Sequence, residues 1–192
     1  METIILDIPS TWTWTDDELY DFCLANRDKM IERNANGQII IMSPAGGITS
    51  HRNSDIVAEL TFWNRKKKQG KVFDSSGGFR LPNGAMKAPD AAWLQKERWE
   101  KLSPEEQKKF PPLCPDFVIE LRSESDALPI LKDKMVEWIE NGCQLAWLID
   151  PENYQTWIYR ANGSISLVSG FDKILSGENV LEGFEFDLNL IL

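Results

Sequence analysis

Apolar residues recur along the chain with different periods, and each period predicts one type of element. Ile56, Leu60 and Trp63 have the spacing of one helix face, whereas the unbroken apolar run at 145–149 is typical of a strand covered on both faces. Asn36-Gly37 lies between two further apolar runs and indicates a hairpin. Together the patterns predict helices over 16–26, 50–69 and 128–141, and strands over 29–34, 38–42, 71–75, 79–81, 90–94, 116–122 and 145–149.

The remaining segments complete the expected order of elements. Residues 95–109 are rich in charge, and Ser103-Pro104-Glu105-Glu106 has the form of a helix start, so we expect an exposed helical excursion there. Asn162-Gly163 is a turn signal within a predicted C-terminal β-meander, whose apolar pieces lie at 156–160, 164–168, 180–181 and 184–192. This order of helices and strands predicts an α/β or α+β fold with a mixed central sheet flanked by helices.

Length and composition limit the kind of protein. A chain of 192 residues fits one domain with one core, so we expect a single domain over residues 1–192. It contains no long apolar run and no leader pattern, which predicts a cytoplasmic protein without membrane association. His51 is the only histidine, and Cys23, Cys114 and Cys143 lack metal-ligand spacing. These counts disfavour a zinc enzyme and leave no convincing serine or cysteine triad.

The net charge of −9 argues against general affinity for nucleic acid, because contacts with phosphate supply most non-specific binding. The charge is uneven, however. Arg65-Lys66-Lys67-Lys68 is the strongest basic cluster, although a solvated helix face is the simpler interpretation of that run.

The strand predicted over 116–122 carries charges that share one face. Side chains alternate along a strand, so Glu120 and Arg122 lie on the face opposite Ile119 and Leu121. Burying charges is costly unless they are paired or bind a metal. The pattern therefore predicts either a structural ion pair or a catalytic site.

A second carboxylate, Asp90, opens the apolar strand predicted over 90–94. Magnesium prefers oxygen ligands, so Asp90, Glu120 and the backbone carbonyl of Leu121 would make an adequate site. A metal there would lower the pKa of an attacking water and neutralise charge on a phosphodiester. A cation is also needed nearby. Arg122 can supply charge but cannot accept a proton, whereas a lysine with a lowered pKa could do both.

Two lysines on the helix predicted over 128–141 are candidates for that lysine. Lys132 and Lys134 flank opposite sides of an apolar stripe that includes Met135 and Trp138. Periodicity alone does not choose between them. An ordinary surface lysine, with its stem on apolar neighbours, is the alternative for each.

Taken in order, these motifs carry a family resemblance. Pro89-Asp90 followed by Glu120-Leu121-Arg122 resembles the PD-(D/E)XK nuclease signature, with arginine where the final lysine normally stands. Nearly the whole chain is similar to the Uma-type family of that superfamily, whose members are classed with restriction endonucleases. The residues that carry this likeness are Ile41-Met42-Ser43-Pro44, His51, Pro89-Asp90, Pro115-Asp116-Phe117-Val118-Ile119-Glu120-Leu121-Arg122-Ser123, Lys134-Met135 and Trp147-Leu148-Ile149-Asp150-Pro151.

The resemblance implies a restriction-endonuclease-like core, DNA as the substrate, and a divalent metal, Mg²⁺ or Mn²⁺, held by two carboxylates. Asp90 and Glu120 match the acids of the motif, and Arg122 occupies the usual lysine position. Lys134 looks like the family's relocated basic residue.

Two further residues are expected as accessory members of the site. Glu59, on the helix predicted over 50–69, stands where related nucleases often place an additional acid, although Asp55 competes with it and a solvated glutamate is commoner than a ligand. His51, near the start of the same helix, could face the same cleft. A surface or capping histidine is the alternative.

Two functions from different classes follow. The first, which we take as the leading hypothesis, is a metal-dependent DNA endonuclease that hydrolyses phosphodiester bonds with a metal-activated water; cutting both strands would be simplest for a twofold homodimer. The second is a non-catalytic nuclease-fold module that binds proteins or nucleic acid, with Glu120 and Arg122 as a buried pair. The acidic net charge and Arg122 favour the second function, whereas the two acids and Lys134 favour the first.

Overall fold

The structure is a computed structural model that describes residues 3–9, 11–12 and 14–192. Its strands divide between two large sheets and one small one. In chain order the elements are β1 (Thr3–Leu6), α1 (Asp16–Ala25), β2 (Met30–Arg33), β3 (Ile39–Met42), α2 (Gly47–Lys67), β4 (Gly70–Asp74), β5 (Phe79–Arg80), β6 (Met86–Lys87), β7 (Ala91–Gln95), α3 (Lys96–Trp99), α4 (Pro104–Lys108), β8 (Phe117–Leu121), α5 (Leu128–Glu140), β9 (Leu145–Asp150), β10 (Gln155–Arg160), β11 (Ile165–Ser169), β12 (Ile174–Ser176), β13 (Glu185–Asp187) and a 3₁₀ turn (Leu188–Ile191).

The larger sheet has six strands in the order β11-β10-β9-β8-β7-β4. Strands β8 and β9 run parallel and the other neighbours run antiparallel, which confirms the predicted mixed sheet. Helix α2 covers one face, where Ile56 packs in the same core as Ile119. Helix α5 covers the other face, where Met135 packs with Val118. The alternation along β8 therefore directs Glu120 towards α5.

The second sheet has five strands in the order β1-β3-β2-β6-β5, all antiparallel. The hairpin of β2 and β3 was predicted, and the structure confirms it. Strands β1 and β6 were not predicted, and the grouping of these strands into a separate sheet was missed. Strand β6 pairs with β2 through one residue pair, Arg33 with Met86. A strand of two residues is too short to show a hydrophobic period in the sequence.

The C-terminal region only partly forms the predicted meander. Strands β10 and β11 pair antiparallel around Asn162-Gly163 as expected. Beyond them, β12 and β13 make a separate two-stranded sheet, and the apolar piece at 180–181 is a turn rather than a strand. Phe184, Phe186 and Ile191 from this region pack into the core on the α2 face of the large sheet. Burial against α2, and not strand pairing, accounts for their apolar character.

The structure also describes the three cysteines and the hydrophobicity of the helices. Cys114 and Cys143 are buried and Cys23 is half-buried, and all three are free thiols. No helix in the described part of the chain is both long enough and apolar enough to cross a membrane.

Strand β4 begins at Gly70, which packs too closely against β7 to accommodate a side chain. A Cβ atom there would overlap the carbonyl oxygen of Leu94 and the indole of Trp93. We expect Gly70→Ala to lower the free energy of unfolding by about 2–3 kcal/mol, because neither the strand backbone nor the buried ring can move freely. Chemical denaturation measures this change.

Gly47→Ala is the matched control for Gly70→Ala. A Cβ atom at Gly47 meets nothing within 4 Å, and alanine favours a helix more than glycine does. We expect this substitution to leave the free energy of unfolding unchanged or slightly higher. Equal losses in the two variants would contradict the close approach of β4 to β7.

Candidate active site

Asp90 and Glu120 come together where β7 and β8 pair. Ala91 is opposite Ile119 in the antiparallel register, so the next position outward brings Asp90 opposite Glu120. The two oxygens of Asp90 have different partners. Oδ2 accepts a hydrogen bond from the Leu121 amide at 2.8 Å, and Oδ1 accepts one from Asn53 Nδ2 at 2.7 Å. Helix α2 and strand β8 thus hold the Asp90 carboxylate in one orientation.

Glu120 receives its hydrogen bonds from α5. The Lys134 ammonium lies 2.9 Å from Oε1 and 3.0 Å from Oε2, and the indole of Trp138 donates to Oε1 at 2.9 Å. These two donors are four residues apart, so they lie on one face of the helix. Trp138 was predicted as a core residue and is fully buried, but its polar contact with Glu120 was missed.

A third carboxylate reaches the site from the five-stranded sheet. Glu32 on β2 is buried, and its Oε1 accepts hydrogen bonds from Lys134 Nζ and from the Ala88 amide, each at 3.0 Å. Lys87 Nζ lies 3.5 Å from Oε2. Sequence reasoning missed Glu32. The one available signal was an acid within a predicted core hairpin, and that signal did not indicate which residues it would meet.

The cluster carries more negative than positive groups. Burial and the nearby acids raise the pKa of Glu120 to about 7 although Lys134 opposes the shift, and burial also raises the pKa of Asp90. Burial would raise the pKa of Glu32 too, but Lys134 and Lys87 outweigh it, so that pKa is lowered. Four carboxylates face two ammonium groups, a formal excess of about two negative charges when all are ionised: Glu32, Asp90, Glu120 and Glu137 against Lys87 and Lys134.

The acids around Lys134 favour its protonated form by raising its pKa. Burial alone would lower its pKa, but the charges of Glu120, Glu32 and Asp90 more than compensate, and the pKa is raised. This shift is opposite in direction to the lowered pKa that a proton-accepting lysine needs. The chemistry of Lys134 here is that of a fixed positive charge and hydrogen-bond donor.

The donor set suits a hard divalent cation that keeps some of its waters. No group of three or more His, Cys, Asp or Glu in the described part of the chain forms a complete protein cage for a metal. Magnesium, however, is usually bound through one or two carboxylates. Asn53 Oδ1, on the amide that holds Asp90, is buried and has no hydrogen-bond partner among the described residues. The excess negative charge and this unpaired acceptor both fit a cation at Asp90 and Glu120.

Asp90 also opens onto a cavity, which we call the acid cavity. Its volume is about 510 Å³, and α2 and the end of β4 line it through residues that include Asn53, Val57, Phe62, Arg65, Asp74 and Ser75. A substrate can therefore approach Asp90 from solvent, whereas Glu120 lies behind it and is only 4% exposed.

Arg122 is paired elsewhere, so the predicted ion pair of Glu120 with Arg122 is wrong. The Arg122 guanidinium donates to Asp150 at 2.8 Å and to the backbone carbonyl of Asp126 at 3.1 Å. Asp150, at the end of β9, is fully buried. Strand β9 runs parallel to β8 with Leu121 beside Ile149, so the next position outward brings Asp150 beside Arg122, and the arginine pairs with this acid on the neighbouring strand.

The structure separates the remaining candidates. Lys132 lies over the ring of Trp157, with Nζ 4.3 Å from the ring centroid, so Lys134 alone of the two lysines reaches the acids. His51 is 77% exposed, with Nδ1 3.7 Å from Asp55 on the same helix. Asn53 is the residue of α2 that contacts Asp90. Glu59 is six residues further along, about 240° around the helix, so it lies on a different face from Asn53.

Comparison with known proteins identifies a family for the sequence and a solved structure with a similar fold. The profile of the family Uma2, described as "Putative restriction endonuclease", matches residues 16–189, a span that includes Glu32, Asp90, Glu120 and Lys134. A crystal structure described as a putative nuclease belonging to DUF820, from Anabaena variabilis ATCC 29413, has a TM-score of 0.72. The two chains are 17% identical over 93% of this chain and 97% of that one, which confirms the predicted fold class. No curated protein sequence matches the chain.

The contact of Trp138 with Glu120 can be tested against a second buried tryptophan. Trp138 and Trp147 are both fully buried, but the Trp147 indole nitrogen has no hydrogen-bond partner among the described residues. Trp138→Phe removes a donor to a carboxylate, whereas Trp147→Phe removes a similar volume without that loss. We expect the free energy of unfolding to fall by about 2 kcal/mol more for Trp138→Phe, measured by chemical denaturation. A larger loss for Trp147→Phe would contradict this role of Trp138.

The pair of Arg122 with Asp150 predicts a loss of stability when the arginine is removed. Arg122→Ala leaves a fully buried carboxylate without its cation, so we expect the free energy of unfolding to fall by about 3 kcal/mol. Arg160→Ala is the control, because its partner Glu178 is 30% exposed and remains solvated. We expect a loss of about 1 kcal/mol there. Thermal or chemical unfolding of both variants checks the difference, and a smaller loss for Arg122→Ala would count against it.

Proposed function

Because the chain belongs to the Uma2 family, we propose that it is a metal-dependent endonuclease that hydrolyses phosphodiester bonds in DNA. One observation carries the proposal: Asp90 lies opposite Glu120 where β7 and β8 pair, in a largely buried cluster of four acids and two lysines. Such an excess is costly in a folded protein unless a cation offsets it.

Asp90, Glu120 and the backbone carbonyl of Leu121 would hold Mg²⁺ or Mn²⁺. When bound, the ion would supply a positive charge for the phosphodiester and a more acidic water for the attack. Asn53 and the Leu121 amide orient Asp90, while Trp138 orients Glu120. These hydrogen bonds hold the carboxylates in place before substrate arrives, which lowers the cost of reaching the reactive geometry.

Lys134 would stabilise the negative charge that develops on the phosphate. Its ammonium group is already held by Glu120 and Glu32, so it needs little reorganisation as the reaction proceeds. Glu32 acts through Lys134, as a positioning residue. Arg122 stays in the proposal as a neighbouring cation whose charge Asp150 largely offsets.

The proposal also covers the substrate, the cellular location and the oligomeric state. We propose DNA as the substrate, a cytoplasmic location, and a twofold homodimer wherever both strands of a duplex are cut, because each active site cuts one strand at a time. A non-catalytic nuclease-fold module remains the second candidate. The observation that favours it is the contact of Lys134 with both oxygens of Glu120, which satisfies that acid without a metal.

Isosteric substitutions of the two acids test the metal site. We expect the parent protein to bind Mg²⁺ or Mn²⁺ in calorimetry and to cleave plasmid DNA only when the metal is present. Asp90→Asn and Glu120→Gln should each lower metal affinity at least tenfold and abolish cleavage, because each removes a charged ligand without changing its shape. EDTA should abolish cleavage by the parent as well.

Asp172→Asn is the matched control, since Asp172 is an exposed acid paired with Lys173. It should bind metal and cleave DNA as the parent does. Circular dichroism would verify that every variant is folded. A folded parent that binds no metal at millimolar concentration would reject the nuclease and favour the non-catalytic module.

A further inference from the structure

A second cavity adjoins the acid cavity at the proposed reaction site. This side pocket, of about 560 Å³, lies between α1 and the segment 99–111. Ser75 lines both cavities, and the chain from Ala88 to Asp90 borders both, since Ala88 lines the side pocket and Asp90 the acid cavity. The Ala88 carbonyl oxygen is 3.4 Å from Lys134 Nζ. A ligand in the side pocket would therefore lie close to Lys134, the residue proposed to stabilise the reacting phosphate.

The walls of the side pocket carry aromatic rings in two pairs. Tyr20 and Phe110 meet edge to face with centroids 5.2 Å apart, and Phe73 and Trp99 are tilted with centroids 5.6 Å apart. All four side chains are only half-buried. Gly78 packs directly beside the Phe110 ring, where a Cβ atom would lie 2.9 Å from a ring carbon. Flat apolar rings that remain partly exposed inside a concavity are typical of sites that stack a planar ligand.

The rim of the side pocket is positive although the chain as a whole is acidic. Arg27, Lys29, Lys108 and Lys109 line it together with one acid, Asp28. Lys29 pairs with Asp28 and Lys109 pairs with Asp17, each at 2.7 Å.

Two of these cations remain available to a ligand. Arg27 and Lys108 are exposed, and within the described ranges neither has an acidic partner. In a chain of net charge −9, this local excess of positive charge is complementary to phosphate.

We propose that the side pocket binds an unpaired nucleotide next to the bond that is cut, so that the substrate is DNA with a single-stranded segment. This inference rests on the proposed nuclease function and specifies its substrate. Rings on the wall stack the base, and Arg27 and Lys108 contact the phosphates beside it. A cavity of this size holds roughly one or two nucleotides, whereas a base in an intact duplex would first have to leave its stack.

Binding without metal tests the side pocket separately from cleavage. Fluorescence anisotropy in EDTA would compare a labelled single-stranded oligonucleotide with a blunt duplex of the same sequence and with a single strand that carries abasic sites. We expect the parent to bind the single strand at least tenfold more tightly than the duplex. The abasic strand should bind about tenfold more weakly than the intact strand, because it keeps its phosphates and loses the stacked bases.

A charge-reversed pair of variants locates the binding. Arg27→Glu with Lys108→Glu should weaken binding of the single strand at least tenfold. Lys66→Glu with Lys173→Glu is the control, because it changes the charge equally at exposed positions that line neither cavity. The control should bind within about twofold of the parent. Unfolding curves would confirm that both double variants are folded.

Three results would overturn the inference: preferred binding of the duplex by the parent, unchanged binding by the Arg27 and Lys108 variant, or equal losses in the control. Cleavage assays with magnesium on the same samples keep the two proposals apart. Cleavage of blunt duplex by a parent that binds single strands no better would reject the side pocket and retain the nuclease. Selective binding of single strands that depends on Arg27 and Lys108, with no cleavage of any DNA, would support the side pocket and reject the nuclease.

Discussion

Lys134 contacts two buried acids and thereby connects the two large sheets at the candidate site. Its ammonium group lies 2.9 Å from Glu120 on the six-stranded sheet and 3.0 Å from Glu32 on the five-stranded sheet. One helix side chain thus ties two sheets that share no strand. Because an isolated buried carboxylate is costly, the charge of Lys134 favours the ionised form of both acids, and Lys87 contributes further at Glu32.

The same cluster is not neutral, and its imbalance links the fold to the proposed chemistry. Asp90 adds a carboxylate that Asn53 and a backbone amide satisfy through hydrogen bonds, but no cation among the residues that the structure describes pairs with it directly. Charge repulsion and burial are tolerated there because the surrounding core of α2, α5 and β8 is extensive. Sites arranged for function are commonly less stable than a neutral arrangement would be. A divalent cation would offset that cost and at the same time place positive charge where a phosphate can approach.

Much of the fold and both motif acids could be predicted, because periodic burial and residue spacing are local properties. Helices α1, α2 and α5 and the strands β7, β8 and β9 follow from such patterns. The choice of Lys134 over Lys132 could not be made, since both flank the same apolar stripe and only the angle at which α5 crosses the sheet directs one to Glu120 and the other to Trp157. Strand alternation placed Arg122 on the face of Glu120 and left an ion pair between them as one alternative, but it could not show that β9 brings Asp150 beside the arginine.

Local sequence patterns were enough to identify the residues with suitable chemistry: two acids beside apolar strands, a lysine pair on one helix, and an order of motifs specific to one family. Which of these residues contact each other depends on how distant segments of the chain pack. Glu32 enters the site from a strand nearly 60 residues before Asp90, as the close approach of Ala88 to β2 shows, and the side pocket is built from α1, the end of β4 and the segment after β7. Contacts between residues so far apart depend on how the two sheets pack against each other, and no local period or spacing encodes that arrangement.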